Sequence, residues 1–134
     1  MQLEGNYIRR NTTKSLSVHL ANLYDFTPLH MPVHVIRGKE DGPVLLLIAG
    51  IHGDEINGTA ITQRLIQMLK PKTIKGTIIA IPIVNVFGFN DKSRYLPDRR
   101  DLNRCFPGSK TGSLASRIAH KISKTILPLS DMVI

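Results

Sequence analysis

The chain has one cysteine, no tryptophan, four phenylalanines and three tyrosines among its 134 residues. A single thiol excludes an internal disulfide framework. So few aromatics, with no basic run longer than two residues, argue against a nucleic-acid surface, which needs a focused basic stripe and stacking positions. No apolar run is long enough to span a bilayer. The opening residues, MQLEGNYIRR, lack the hydrophobic segment of a secretory leader. These absences point to a cytoplasmic globular protein with neither a membrane nor a nucleic acid as partner. What is abundant is positive charge: 18 Lys and Arg against 10 Asp and Glu give a net +8. A scattered surplus of this kind fits an acidic small molecule, or a chain shown without its acidic half.

A chain of this length makes one domain with a real core. SLSVHL (15–20) alternates and reads as a strand, followed by a turn-rich connection holding Pro28 and Pro32. VHVIRG (33–38) reads as a second strand. VLLLIAG (44–50) is apolar on both faces, as in a central parallel strand covered on two sides. Residues 58–70 read as a helix with Ile61, Leu65, Met68 and Leu69 on one face, closed by Pro71. GTIIAIPIVN (76–85) is another buried strand, with Pro82 near its end or at a bulge. Residues 86–112 show no periodicity. Residues 113–126 form a second helix on Leu114, Ile118, Ile122 and Ile126, and DMVI (131–134) starts a further strand. Alternating strands and helices imply an α/β fold, three layers α/β/α with a mostly parallel mixed sheet. Ligands in such folds lie at the carboxyl ends of the strands. The loops 50–58 and 85–112 both begin there.

The first of these loops reads GIHGDEING. His52 and Glu55, three apart at a helix entrance, can face one point, and imidazole with carboxylate is a normal zinc pair. The flanking glycines permit a sharp turn and close approach. A solvated turn with a chance His-x-x-Glu stays open on spacing alone. Asp54 reads as a turn or helix-entry residue behind the ligands. The second loop holds SRYLPDRRDLNRCFPG (93–108). Arginine offers a planar fork for carboxylates and asparagine a directed donor and acceptor, so Arg94, Asn103 and Arg104 suit a substrate with a free carboxylate. A solvated basic loop with local Asp–Arg pairing is the plain alternative.

GIHGDEING, VNVFGF, SRYLPDRRDLNRCFPG and the final SDMVI together resemble the succinylglutamate desuccinylase/aspartoacylase family, a branch of the zinc carboxypeptidase-like hydrolases. The resemblance runs from about residue 33 to the end, with the motifs in the same order; residues 1–32 form an N-terminal strand and lead-in. It implies zinc held by His52 and Glu55, an oxyanion-stabilising or carboxylate-binding Arg94, and a substrate carboxylate gripped by Asn103 and Arg104. The implied reaction is hydrolysis of an N-acyl amino acid. Val86 replaces a frequent proline and Arg99 a frequent glycine, neither in a carried-over role. The family's third zinc ligand, a histidine, and its general base, a glutamate, fall beyond Ile134. The chain is therefore expected to be the N-terminal part of a catalytic domain, silent alone, with self-association into a homo-oligomer one way of covering its edge. Two other readings remain: a zinc carboxypeptidase acting on peptides, and a non-catalytic binding domain that retains the fold. Among other candidate ligands, His19 and His34 read as partly buried strand histidines with backbone partners. His30 reads as a turn residue, His120 as solvated, and Cys105 as a small buried thiol.

Overall fold

A computed structural model describes residues 1–23 and 25–134. Two short strands, β1 (Gln2–Leu3) and β2 (Asn6–Tyr7), form a separate antiparallel ribbon. The main sheet has five strands: β3 (Thr12–Asn22), β4 (Pro28–Arg37), β5 (Glu40–Ile48), β6 (Lys75–Ile81) and β7 (Met132–Val133). Their order is β3-β4-β6-β5-β7. β3 with β4 and β4 with β6 are antiparallel; β6 with β5 and β5 with β7 are parallel. The α/β class with a mixed sheet is as expected, the parallel part being confined to the side that carries the two loops.

The helices are α1 (Ile56–Met68), α2 (Val86–Asp91) and α3 (Leu114–Thr125). α3 seals one face of the sheet. Its Ala115, Ile118, Ala119 and Ile122 join Val18, Val33, Val35, Leu46, Ile79 and Ile81 in one buried cluster. The strand period of two sends Leu45, Leu47, Ile78 and Ala80 to the other face, where α1 packs on β6. Ser113 caps α3 by accepting from the Ser116 amide, which satisfies one of the free donors of a helix start.

Several local expectations change. Pro28 and Pro32 lie in β4, not in a turn; β6 pairs with β4 only over 34–37, so neither proline removes a donor from that central ladder. His30 is accordingly a strand residue, opposite His19 and stacked edge-on against it. His19 and His34 bond to the side chains of Asn22 and Ser15, not to backbone. α1 turns Thr59 and Thr62 inward and leaves Ile61 and Met68 exposed, so its threonines, not its full apolar stripe, face the sheet. It ends at Met68, and Pro71 opens a short 3-10 turn instead of closing the helix. β5 is only half-buried along most of its apolar run, being one strand from the sheet's edge. Pro82 falls just past the end of β6, and the aperiodic stretch 86–112 contains α2 and a 3-10 turn, Leu102–Arg104.

Candidate active site

Parallel pairing brings the ends of β5 and β6 to one rim, and the chain stays zipped beyond them. The Ala49 amide donates to Ile81 O (2.9 Å), Val84 to Ala49 O (3.0 Å) and Asn85 to Gly50 O (2.9 Å). Gly50 takes a left-handed turn, φ 61°, that sends the chain out of the sheet towards His52. Gly53 then crosses α2 so tightly that a Cβ on it would stand 1.8 Å from the Gly88 carbonyl carbon. The Gly53 amide also donates to Ser93 O at 3.0 Å. The two loops are thus locked backbone to backbone, immediately beside His52 on one and Arg94 on the other.

Asn85 is fully buried and does two things. Its Oδ1 caps α2 by accepting from the Gly88 amide (2.8 Å), and its Nδ2 donates to the Arg94 carbonyl (3.3 Å). The start of α2 therefore fixes the main chain at Arg94.

The ring of His52 is buried, its side chain 7% exposed. Nδ1 lies 3.0 Å from Glu55 Oε1, and Nε2 lies 3.0 Å from Asp101 Oδ1. Asp101 is 14% exposed. Its Oδ1 also accepts from the Asn103 amide (2.9 Å), and its Oδ2 accepts from Arg94 Nε (3.2 Å) and Nη2 (3.0 Å). Arg94 Nη1 is 3.6 Å from Glu55 Oε1. Burial pushes the Asp101 carboxyl up, but the bonds from His52, Arg94 and the Asn103 amide outweigh it, and the group titrates below its ordinary value. As an ionised carboxylate it accepts only, so the proton it faces is on His52 Nε2.

That arrangement fits a metal ion. With Nε2 protonated towards Asp101, the donor left to Nδ1 faces Glu55, and two metal-type ligands converge with the imidazole oriented from behind by a carboxylate. No group of three or more His, Cys, Asp or Glu side chains that could hold a metal was found among the described residues. His19, His30, His34 and His120 add no donor to such a group. A cleft of about 610 Å³ opens beside Glu55, lined by Ile48–Ile51 and Asp54, and Asp54 itself is exposed.

The five residues singled out by sequence are collected on one rim. His52, Glu55 and Arg94 form a contiguous cluster. Asn103 and Arg104 sit on the 3-10 turn that Asp101 starts, their side chains exposed and, among the described residues, without hydrogen-bond or ion-pair partners. Cys105 is half-buried, donates to Asp101 O (3.3 Å), and burial pushes its thiol pKa up, as suits a packing thiol. Sequence reasoning placed Asp101 on this rim only as a partner in local Asp–Arg pairing, with no role in the site, and missed Asn85. The signal for Asp101 was the Asp-x-Asn-Arg spacing, in which a carboxylate two residues ahead can cap the turn presenting Asn103. Nothing in the sequence alone marked Asn85 as a buried cap.

The fold is an α/β domain whose parallel strands end at a polar rim holding an imidazole between two carboxylates. The profile of the succinylglutamate desuccinylase/aspartoacylase catalytic domain matches residues 41–134, and the chain belongs to that family. It is 35% identical over 105 residues to the N-alpha-acetyl-L-2,4-diaminobutyric acid deacetylase of Halomonas elongata, covering 78% of this chain and 30% of that protein. The crystal structure of a succinylglutamate desuccinylase/aspartoacylase from Rhodobacter sphaeroides superposes with a TM-score of 0.86 at 29% identity, over 96% of this chain and 41% of that one. The product-bound ectoine utilization protein EutE of Ruegeria pomeroyi gives 0.84 at 28% identity, over 96% and 40%. The chain thus spans less than half the length of these relatives.

Proposed function

We propose that the full-length protein is a zinc-dependent hydrolase that cleaves the amide bond of N-acyl amino acids, and that His52 and Glu55 are two of its zinc ligands. One observation carries the reading: His52 Nδ1 and Glu55 Oε1 converge at 3.0 Å while Asp101 occupies the other ring nitrogen. Family membership supports the deacylase class, and the deacetylase relative supports an acylated amino acid as substrate. A third protein ligand, a histidine, is expected beyond Ile134. β7 runs parallel to β5, with Ile134 O accepting from the Ile48 amide at 2.8 Å. A residue following β7 therefore emerges on the rim where His52 stands. The general base is likewise expected downstream.

When bound, zinc would polarise the scissile carbonyl and lower the pKa of a water. The chain's own residues do the rest. Arg94 presents N–H donors beside Glu55, where negative charge on the carbonyl oxygen develops. Asn103 and Arg104, with free side chains on a turn anchored by Asp101, receive the carboxylate of the amino-acid part in a bidentate grip.

The test is metal analysis of the purified full-length protein and a hydrolysis screen of N-acetyl and N-succinyl amino acids against peptides with a free carboxylate. One zinc per chain and turnover of an N-acyl amino acid are expected. Turnover of peptides alone would move the protein to the peptidases. A metal-free protein that hydrolyses neither would leave a binding domain.

A further inference from the structure

We propose that the groove between α3 and β3 is a binding site for a compact polyvalent oxyanion, a small molecule rich in phosphate or carboxylate groups. None of the strand-end residues lines it, and the inference does not rest on the hydrolase reading. Charges that are scattered along the sequence gather here in space. Between Asp101 and Asp131 the chain carries no acidic residue. Arg117, His120, Lys121 and Lys124 fall at i, i+3, i+4 and i+7 on α3, which makes them one stripe of the helix. That stripe lies opposite the buried Ala115, Ile118, Ala119 and Ile122.

The turn ahead of α3 adds Lys110. Gly108 is left-handed, φ 76°, and so close to the helix that a Cβ on it would stand 2.1 Å from Ser116 O and 2.5 Å from the His120 amide nitrogen. The Ser109 amide donates to Ser116 O (3.2 Å) and to Ser116 Oγ (3.0 Å). The chain is clamped onto α3 immediately before Lys110. The result is a groove of about 290 Å³ walled by Lys110, Arg117, His120, Lys121 and Lys124 over Leu20. Like charges one turn apart destabilise a helix, and a cleft walled by one sign of charge concentrates counter-ions. Lys121 is answered within the chain, its Nζ 3.2 Å from Glu4 Oε2. The side chains of Lys110, Arg117, His120 and Lys124 have no hydrogen-bond or ion-pair partner among the described residues.

The lining selects the ligand class. A monoanion would leave most of this charge unopposed, so the ligand carries several charges. The guanidinium of Arg117 takes two oxygens of one phosphate or carboxylate, and the lysines act as point charges. No Phe or Tyr lines the groove, so it offers no stacking platform for the bases of a nucleic acid.

The test titrates pyrophosphate, citrate and sodium chloride of matched ionic strength into the full-length protein, with calorimetry and the thermal midpoint as readouts. Pyrophosphate or citrate should bind one per chain and raise the midpoint beyond the chloride control; which of the two does so names the source of the oxyanion. Arg117→Gln combined with Lys124→Gln should weaken that binding by about 10-fold. Lys72→Gln, the same kind of charge loss on the Pro71–Thr73 turn, should leave it unchanged. Without ligand the double variant should melt at or above the wild-type midpoint, because a like-charge stripe has been thinned; a lower midpoint would assign the two side chains to packing and overturn the proposal. No rise beyond the chloride control would overturn it as well. Binding that persists in the double variant and disappears in Arg104→Ala would place the anion at the strand-end rim and likewise overturn it.

Discussion

Gly53 and Gly88 show what a single hydrogen atom in place of a side chain does for the site. A Cβ on Gly53 would meet main-chain atoms of Gly88 and Phe89, which have no rotamer to escape into, and one on Gly88 would meet the Asn85 amide at 2.5 Å. Gly53→Ala should therefore cost at least about 1–3 kcal/mol, as overpacking does, and separate the His52 loop from Arg94. Chemical denaturation checks the first effect and metal affinity the second. Arg104 makes the opposite case, an exposed residue with no side-chain partner among the described residues, whose loss should leave folding alone. Arg104→Lys keeps the charge and loses the planar fork. Turnover in the full-length enzyme should fall with an unchanged thermal midpoint; near-wild-type activity would remove the carboxylate grip from Arg104.

Elements were legible where burial drives them. α3 follows its apolar repeat with Ser113 as its cap, and β3, β5 and β6 follow runs of strand-forming residues, because one face or both had to be covered. β4 reached further back than its apolar core, through two prolines, since its first half pairs with β3 alone and tolerates missing donors. α2 was not legible: six residues give no period, and it exists because Asn85 caps it and Gly53 packs on it. The five candidate residues could be named from motif order, strand-end position and the family resemblance, but the part Asp101 plays emerged only when His52, 49 residues away in sequence, was brought to it. β4 also carries a pH-sensitive group. His34 is half-buried against Ser15, and burial lowers its pKa below the ordinary histidine value. The folded chain then resists a proton that the unfolded chain accepts, so this contribution to stability is intact above pH ~6.5 and declines as the pH falls from there towards the folded value. His34→Gln should shrink the drop in thermal midpoint between pH 7.5 and 5.5; an identical drop in both proteins would exclude His34 as its source.

At the scale of the whole molecule the core is one-sided. The α3 face is closed, whereas α1 leaves Ile56, Ile61 and Met68 exposed, and Met132, Val133 and Ile134 are exposed along the edge strand. Ile61 is 60% and Met68 74% exposed, seven residues apart on α1, and contiguous exposed apolar side chains mark association surfaces. In isolation the 134-residue chain should bind the dye ANS and elute above its 14.9 kDa mass, and Ile61→Glu with Met68→Glu should reduce both without lowering the thermal midpoint. Unchanged elution of that double variant would assign association to another surface. The parallel crossover that assembles the site also sets when it can exist. His52 leaves β5, and Asp101 follows β6 only after a helix, a strand and a long excursion, so their bond closes a loop that no local hairpin can prepare. Pairing β3 with β4 therefore contributes nothing to the site, which needs β5 and β6 side by side. The Gly53 amide is tied to Ser93 O and packed on α2, so its exchange should be slow, approaching the core amides of β6 instead of the faster rate common to surface loops.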